Sequence, residues 1–316
     1  MKYDVITFGS AILDAFVTSP DFRILNSHRS LTGRFLAVPY GTKTEVTDLT
    51  FASGGGGTNT AVGFSRLGLK TAVVSRLGWD FAGKFIRDDL KKEKVDLDFL
   101  CQFEGEATDW SIILLGSDGN RTAMVWRGNT RLERSLINFK LINSFWFYIT
   151  SLEGNLDLLE DLVTFARENH IKVALNPGAK ELQEKSRLLE IANLVEVFIV
   201  NQEEASKLLN YCSREEAFEL LCSKTDCPLL VVTNGENGIE ARVNKEKLIL
   251  PSFKVKMINQ LGAGDGFGCG LVGGLARGMK PKEALRLGLA NGASVVGKIG
   301  AKTGLLKEAE ITFWLK

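Results

Sequence analysis

The chain has 316 residues, 45% of them hydrophobic, enough for a substantial core and too many for general disorder. With 39 basic and 38 acidic side chains and no long basic run, the formal charge is +1, which argues against a nucleic-acid binder. No apolar run reaches the roughly 18 residues of a membrane span, so no membrane partner is expected.

Five cysteines without a CxxC pair, beside only two histidines, make a poor zinc site; an odd count points to reduced thiols and a cytoplasmic location. "MKYDVITFGSAILDAF" carries Asp4 and Asp14, so it reads as a first strand and not as an export peptide. Residues 15–51 are irregular, with strand candidates in "RFLAVPY" and "TEVTDLTF". "GGGGTNTAVGFSRLG" switches to helical spacing, "KTAVVSRLG" is a strand, and "DFAGKFIRDDLKKEKV" is an amphipathic helix. In the next helix-poor stretch, "TDWSIILLGSDGNRTAMVWRG" predicts a hairpin turning at Asp118–Gly119.

From Ser144 the pattern alternates. "FWFYIT", "KVALNPG", "VEVFIV" and "PLLVVTNG" are strands separated by helical segments, including "NQEEASKLLNYC". A hairpin "GIEARVNKEKLIL" and two closing helices follow. Such alternation predicts a mainly parallel sheet covered on both faces. Residues 1–14, 52–97 and 128–316 are expected to form this main domain. Residues 15–51 and 98–127 are expected to combine in one small β-sheet lid.

"LGAGDGFGCG" sets five glycines around Asp265 at the start of a helix. Gly262, Ala263 and Gly264 would offer backbone N–H groups and the positive end of the helix dipole to an anion, with phosphate the obvious one. Asp265 would then be placed to take a proton from an attacking hydroxyl; a plain helix cap explains the same residue types equally well. Gly54 to Gly57 open another helix ahead of Asn59, without the spacing of a Walker or dinucleotide loop. Asp14 follows the first strand, where open parallel sheets collect ligands. Asn201 and Glu204 suit either a water-mediated Mg²⁺ site or a capping box. Thr233, Gly235 and Gly238 mark a strand end on which a nucleotide could lie.

"GGGGTNTAVGFSRLG" and "GAGDGFGCGLVGG" resemble the two motifs of the PfkB carbohydrate kinases, the ribokinase-like kinases, and the resemblance spans nearly the whole chain. It implies a doubly wound α/β fold with a β lid and ATP-dependent phosphorylation of a sugar hydroxyl. Gly262, Ala263 and Gly264 would form the anion hole, and Asp265 would be the base. Asp14, Gly54, Gly55, Asn59 and Glu153 match positions that hold substrate hydroxyls. Asn201 and Glu204 match the element that organises Mg²⁺. Thr233, Gly235 and Gly238 match the nucleotide site, and Asn291 a position near the adenine.

The match has departures. Gly56 stands where ribokinase has a lysine. "INQLGAGD" puts Asn259 and Gln260 where the family often reads "VDTTGAGD", which leaves a monovalent cation in question. The acceptor stays open among a sugar, a nucleoside (Trp110 and Trp126 supplying aromatic surface) and a sugar phosphate reached by Arg121 and Arg127. A ligand-binding regulator without catalysis is the alternative from another class. Exposed lid edges make a homodimer through the lid the expected assembly.

Overall fold

The computed structural model describes residues 2–29, 33–118, 120–210 and 213–316. In chain order it contains β1 (Tyr3–Phe8), β2 (Ile12–Thr18), β3 (Arg23–Asn26), β4 (Arg34–Ala37), β5 (Asp48–Gly54), α1 (Gly56–Arg66), β6 (Thr71–Gly78) and α2 (Phe81–Lys92). Then come β7 (Leu100–Phe103), β8 (Asp109–Leu115), β9 (Arg121–Trp126), β10 (Ser144–Ile149), α3 (Leu156–Glu168), β11 (Lys172–Leu175), α4 (Lys185–Ala192), β12 (Val197–Asn201) and α5 (Gln202–Leu208). The C-terminal part adds α6 (Arg214–Lys224), β13 (Leu229–Thr233), β14 (Ile239–Val243), β15 (Glu246–Leu250), α7 (Ala263–Ala276), α8 (Pro281–Val296) and α9 (Ile311–Leu315).

Nine strands form the main sheet in the order β15-β14-β13-β12-β11-β10-β1-β6-β7. All its pairings are parallel except those of β14 and β15. Apolar side chains occupy both faces of the central strands, as in Phe147 and Tyr148 of β10, so helices must cover both sides. One layer packs Leu159, Leu188, Leu208 and Phe218 from α3 to α6 on Ile6 and Phe147. The opposite layer packs Phe64 of α1, Leu271 of α7 and Leu285 of α8 on Val5 and Tyr148. This is a doubly wound α/β fold, as the alternation predicted.

From β1 the chain builds the sheet outward through β6 in one direction and through β10 in the other. The crevice between the carboxyl ends of β1 and β10 is therefore the topological switch point, where such sheets bind ligands.

A second sheet has four strands in the order β5-β2-β8-β9 and draws on both helix-poor stretches. Its limits differ from those expected. β2 begins at Ile12, so Asp14 lies in the small sheet, and β5 runs on to Gly54, straight into α1. Residues 100–103, assigned to the lid, are instead the β7 edge strand of the main sheet, paired parallel to β6. β3 and β4 form a separate two-stranded ribbon. The β8–β9 hairpin is present; Gly119 at its expected turn, and Tyr211 and Cys212 at the end of the helix after Asn201, lie outside the described residues. Among the described residues no helix is long and apolar enough to cross a membrane.

Candidate active site

Two helices that start on glycine meet at the switch point. Gly55, at φ 92°, precedes α1, and Gly262, at φ 79°, precedes α7; neither helix has a side-chain cap at its start. Asn59 of α1 donates from Nδ2 to Asp265 Oδ2 across 2.8 Å, joining the two helix starts. Burial pushes the Asp265 carboxyl up to about 6, against the Asn59 hydrogen bond and the positive charge of Lys302, which pull it down. A carboxylate poised there is ionised at neutral pH yet basic enough to accept a proton. Asn59 is buried, and its Oδ1 has no hydrogen-bond partner.

The glycines serve different ends. A Cβ on Gly266 would meet Val295, one on Gly268 the Tyr148 hydroxyl, and one on Gly270 the Leu287 carbonyl, so these residues let α7 pack closely. A Cβ on Gly262 would come 2.6 Å from Ala301. Gly264 is exposed and would meet nothing. The turn is thus packed behind and bare in front at Gly264, while the Ala263 amide makes only a long bond of 3.4 Å to the Gln260 carbonyl, which an anion at the helix start could replace.

A second cluster of the expected site residues is built around Asp14. Its buried carboxylate accepts from Ser111 Oγ of β8, and burial raises its pKa while Ser111 and Lys302 lower it. Gly54 lies directly on it, since a Cβ there would come 2.1 Å from Asp14 Oδ2. Gly55 packs as tightly on the Ser10 carbonyl, and Gly57 donates to that carbonyl at 3.1 Å. A narrow cleft runs past Gly9, Ser10, Ala11 and Asp109 to Glu153. Glu153 sits at φ 60°, and its carboxylate meets Arg127 at 2.9 Å and Arg131 at 3.8 Å. Arg127 also pairs with Asp109 at 2.5 Å. Buried Glu181, which the sequence did not suggest, holds this turn by accepting from Ser151 Oγ, Leu152 N, Gly154 N and Gly178 N. A wider hollow beside α2, at Trp79, Phe81, Lys84 and Arg87, contains no candidate residue.

The expected nucleotide residues divide. Thr233 ends β13 in register with Asn201 at the end of β12, so the two stand side by side. Gly235 is open, whereas Gly238 is needed where its Cα approaches the Leu250 carbonyl. Asn291 does not lie on the surface of the site. It is fully buried in α8, where Nδ2 donates to the Gly266 carbonyl and Oδ1 accepts from Leu306 N. Both ends of its amide are used, so its place is between α7, α8 and the chain beyond and not against an adenine.

Asn201 and Glu204 form a complete capping box, with bonds of 2.9 and 2.8 Å. One carboxylate and one amide at a strand end still fit Mg²⁺, which keeps several waters and binds phosphate oxygens directly. Among the described residues no three His, Cys, Asp or Glu side chains cluster to hold a metal by themselves. A monovalent cation fits residue 259 less well. Asn259 spends Oδ1 on Leu261 N and leaves a buried Nδ2 without a partner, a donor where a cation needs an acceptor.

An open α/β sheet with a small β-sheet beside it, a carboxylate at a bare helix start and a polar acceptor cleft define a small-molecule kinase of the ribokinase-like fold. The chain matches the model of the pfkB family carbohydrate kinases over residues 23–308 and belongs to that family. It is 26% identical to a ribokinase of Haemophilus influenzae over 292 residues, covering 89% of this chain and 94% of the relative. Two solved structures superpose on it closely. An adenosine kinase from Sinorhizobium meliloti has a TM-score of 0.81 at 23% identity, with all of both chains covered. A nucleoside kinase from Methanocaldococcus jannaschii has a TM-score of 0.80 at 24% identity, covering 99% of this chain and 98% of that one. ATP-dependent phosphoryl transfer to a sugar or nucleoside hydroxyl follows as the general activity.

Proposed function

We propose that the acceptor is a neutral polyhydroxylated molecule, a free sugar or a nucleoside, and that Asp265 is the general base. The observation that carries the base is its bond to Asn59, which sets one half-buried carboxylate between the acceptor cleft and the bare turn. The acceptor hydroxyl gives its proton to Asp265 as its oxygen bonds to the γ-phosphorus and the bond to the ADP leaving group breaks. Amides of the turn Gly262–Gly264 donate to the non-bridging oxygens while charge shifts to ADP. Asn201 and Glu204 would hold Mg²⁺ through water, and the ion supplies charge neutralisation on the phosphates. Thr233 and the Gly235 turn offer a surface for the nucleotide, and the four-stranded sheet acts as the lid that excludes water.

Neutrality of the acceptor is supported by the arginines around the cleft. Arg76 is paired with Glu106 and Glu133, and Arg127 and Arg131 converge on Glu153. With Lys180, which reaches Glu153 at 4.0 Å, and with Asp109, four cations face four carboxylates and none is in excess. A phosphate entering there would have to displace a carboxylate from its partner. Arg121 lies four residues along β9 from Val125, which pairs with Ser111, and so about 13 Å from the Asp14 level of the sheet.

An ADP-release screen of free sugars, nucleosides and their phosphates with ATP and Mg²⁺ tests this reading. Neutral acceptors should exceed their phosphorylated counterparts by about tenfold or more in kcat/KM, since like-charge placement costs several kcal/mol. A sugar phosphate as the best acceptor would overturn it. We also propose a homodimer through the outer lid face, where Leu49, Phe51, Ile112, Met124 and Trp126 of β5, β8 and β9 are exposed on one side of the sheet. A monomer mass in sedimentation would remove it.

A further inference from the structure

Lys302, in the turn after α8, takes no step in the phosphoryl transfer, although its charge lowers the Asp265 and Asp14 carboxyls. Yet it is one of the few buried charges, only 9% exposed. Its Nζ donates to Ser53 Oγ of β5 and lies 3.4 Å from Asp89 Oδ2 of α2, while Ser53 Oγ donates to the same carboxylate. The backbone of Lys302 is held as well. Its carbonyl accepts from Arg66 Nη1 of α1 at 2.6 Å, and Arg66 is clamped by two bonds to Glu93. A lysine is seldom buried without a reason, because its ammonium gives up hydration that partners must replace.

Ser53 is where this arrangement reaches the site. It directly precedes Gly54, which packs on the Asp14 carboxylate and from which the chain turns into α1. Its register partner in the lid is Leu13, the neighbour of Asp14. We propose that Lys302 is a positioning residue for acceptor binding: its ammonium pins Ser53 between the turn after α8 and α2, and so fixes Gly54 against Asp14 at the base of the lid. The proposal rests on the kinase reading for its kinetic consequence but not for the pinning itself.

The charges facing Lys302 are Asp89 from α2, Glu93 just after it, Asp14 from β2, Asp265 from α7 and Arg66 from α1. Burial lowers the ammonium to about 8, with Asp89, Asp14 and Glu93 pulling it back up. Its proton, and with it the charged bond to Ser53, is therefore lost as pH rises through about 8.

The test compares Lys302→Met, Lys302→Arg and Ser53→Ala with the parent. At pH 7, Lys302→Met should speed hydrogen exchange in peptides covering residues 48–56 by about fivefold or more, with the rest of the main sheet unchanged. With D-ribose and adenosine as acceptor probes, it should raise acceptor KM by about tenfold or more and leave ATP KM within about twofold. The parent's acceptor kcat/KM should fall above pH 8; Lys302→Met should lack that limb, and Lys302→Arg should retain the pin and move the limb to higher pH. Parent-like exchange in 48–56, an unchanged acceptor KM, or an equal rise in both KM values would each overturn the proposal. Should Lys302→Met not fold, Ser53→Ala carries the same test through the loss of one hydroxyl, with the same outcomes. If the parent turns over no acceptor, the kinase reading fails, and the exchange measurement still decides the pin.

Discussion

The starts of α1 and α7 look alike in sequence, each a run of glycines opening a helix, and they differ in what the glycines face. At α1 every one of Gly54 to Gly57 is pressed against something: Asp14, the Ser10 carbonyl, Thr150 and Gly9 respectively. At α7, Gly262 is packed on Ala301 but Gly264 projects into open space. In the proposed function the first run would wall the acceptor, and the second would leave a gap for a phosphoryl group. Glycine content alone marks both; only the surroundings tell a close approach from an opening.

Replacing Asp265 by Asn gives the largest expected effect on this comparison. It keeps the size of the side chain, and Asn59 can turn its amide to preserve the bond. Losing the base should lower kcat by about 10²–10⁴-fold with little change in KM. The folded carboxyl is raised to about 6 from 3.8, so its contribution to stability is present below about 3.8 and lost as pH rises through 6. D265N should therefore melt above the parent at pH 7, by on the order of 2 kcal/mol. A variant that retains over half of kcat would leave Asp265 only its structural bond to Asn59.

The two glycine runs separate in a paired experiment. Gly264→Ala adds a methyl to open space, so its melting should match the parent while kcat falls about 10²-fold through misplacement of the phosphoryl group. Gly54→Ala drives a methyl against Asp14 and should cost about 1–3 kcal/mol of stability. Its kinetic damage should appear in acceptor KM. Equal melting of both variants would erase the distinction.

A smaller effect concerns pH. The rate should rise with pH through about 6 as Asp265 loses its proton, and D265N should show no such limb. A parent rate flat from pH 5 to 8 would place the base elsewhere. The smallest effect expected is that of K⁺: replacing Na⁺ by K⁺ should change kcat by less than about twofold, because Asn259 presents a donor and no charge. A large activation would show the site is closed by backbone alone.

The main sheet was legible because its strands are apolar on both faces and its helices carry a clear stripe. β2 was read as irregular after Asp14 because its alternation is hidden: five consecutive residues are buried, Asp14 among them. β7 is four residues of mixed character, too short to signal, and owes its pairing to β6. Asp265 and Asn59 were singled out by the glycines beside them and Asp14 by its place after the first strand; the structure joins the first two by a hydrogen bond and buries the third against Ser111. Asn291 was misplaced because a polar residue in a helix looks the same in sequence whether it faces a ligand or satisfies backbone groups inside. Glu181 and Lys302 gave no signal at all, since charged residues in turns are ordinarily exposed and only tertiary contacts bury these two.

The bond between Asn59 and Asp265 spans 206 positions of the chain. A ribosome that has released every strand of both sheets has still not delivered the carboxylate of Asp265. Until the last sixth of the polypeptide emerges and docks, a nascent molecule lacks the α7–α8 cover of one sheet face, the Lys302 contact to Ser53 and the proposed base. Completion of synthesis and acquisition of the proposed activity would then be the same event, and a chain cut short before α7 would be inert toward the nucleotide pool instead of wasteful of it.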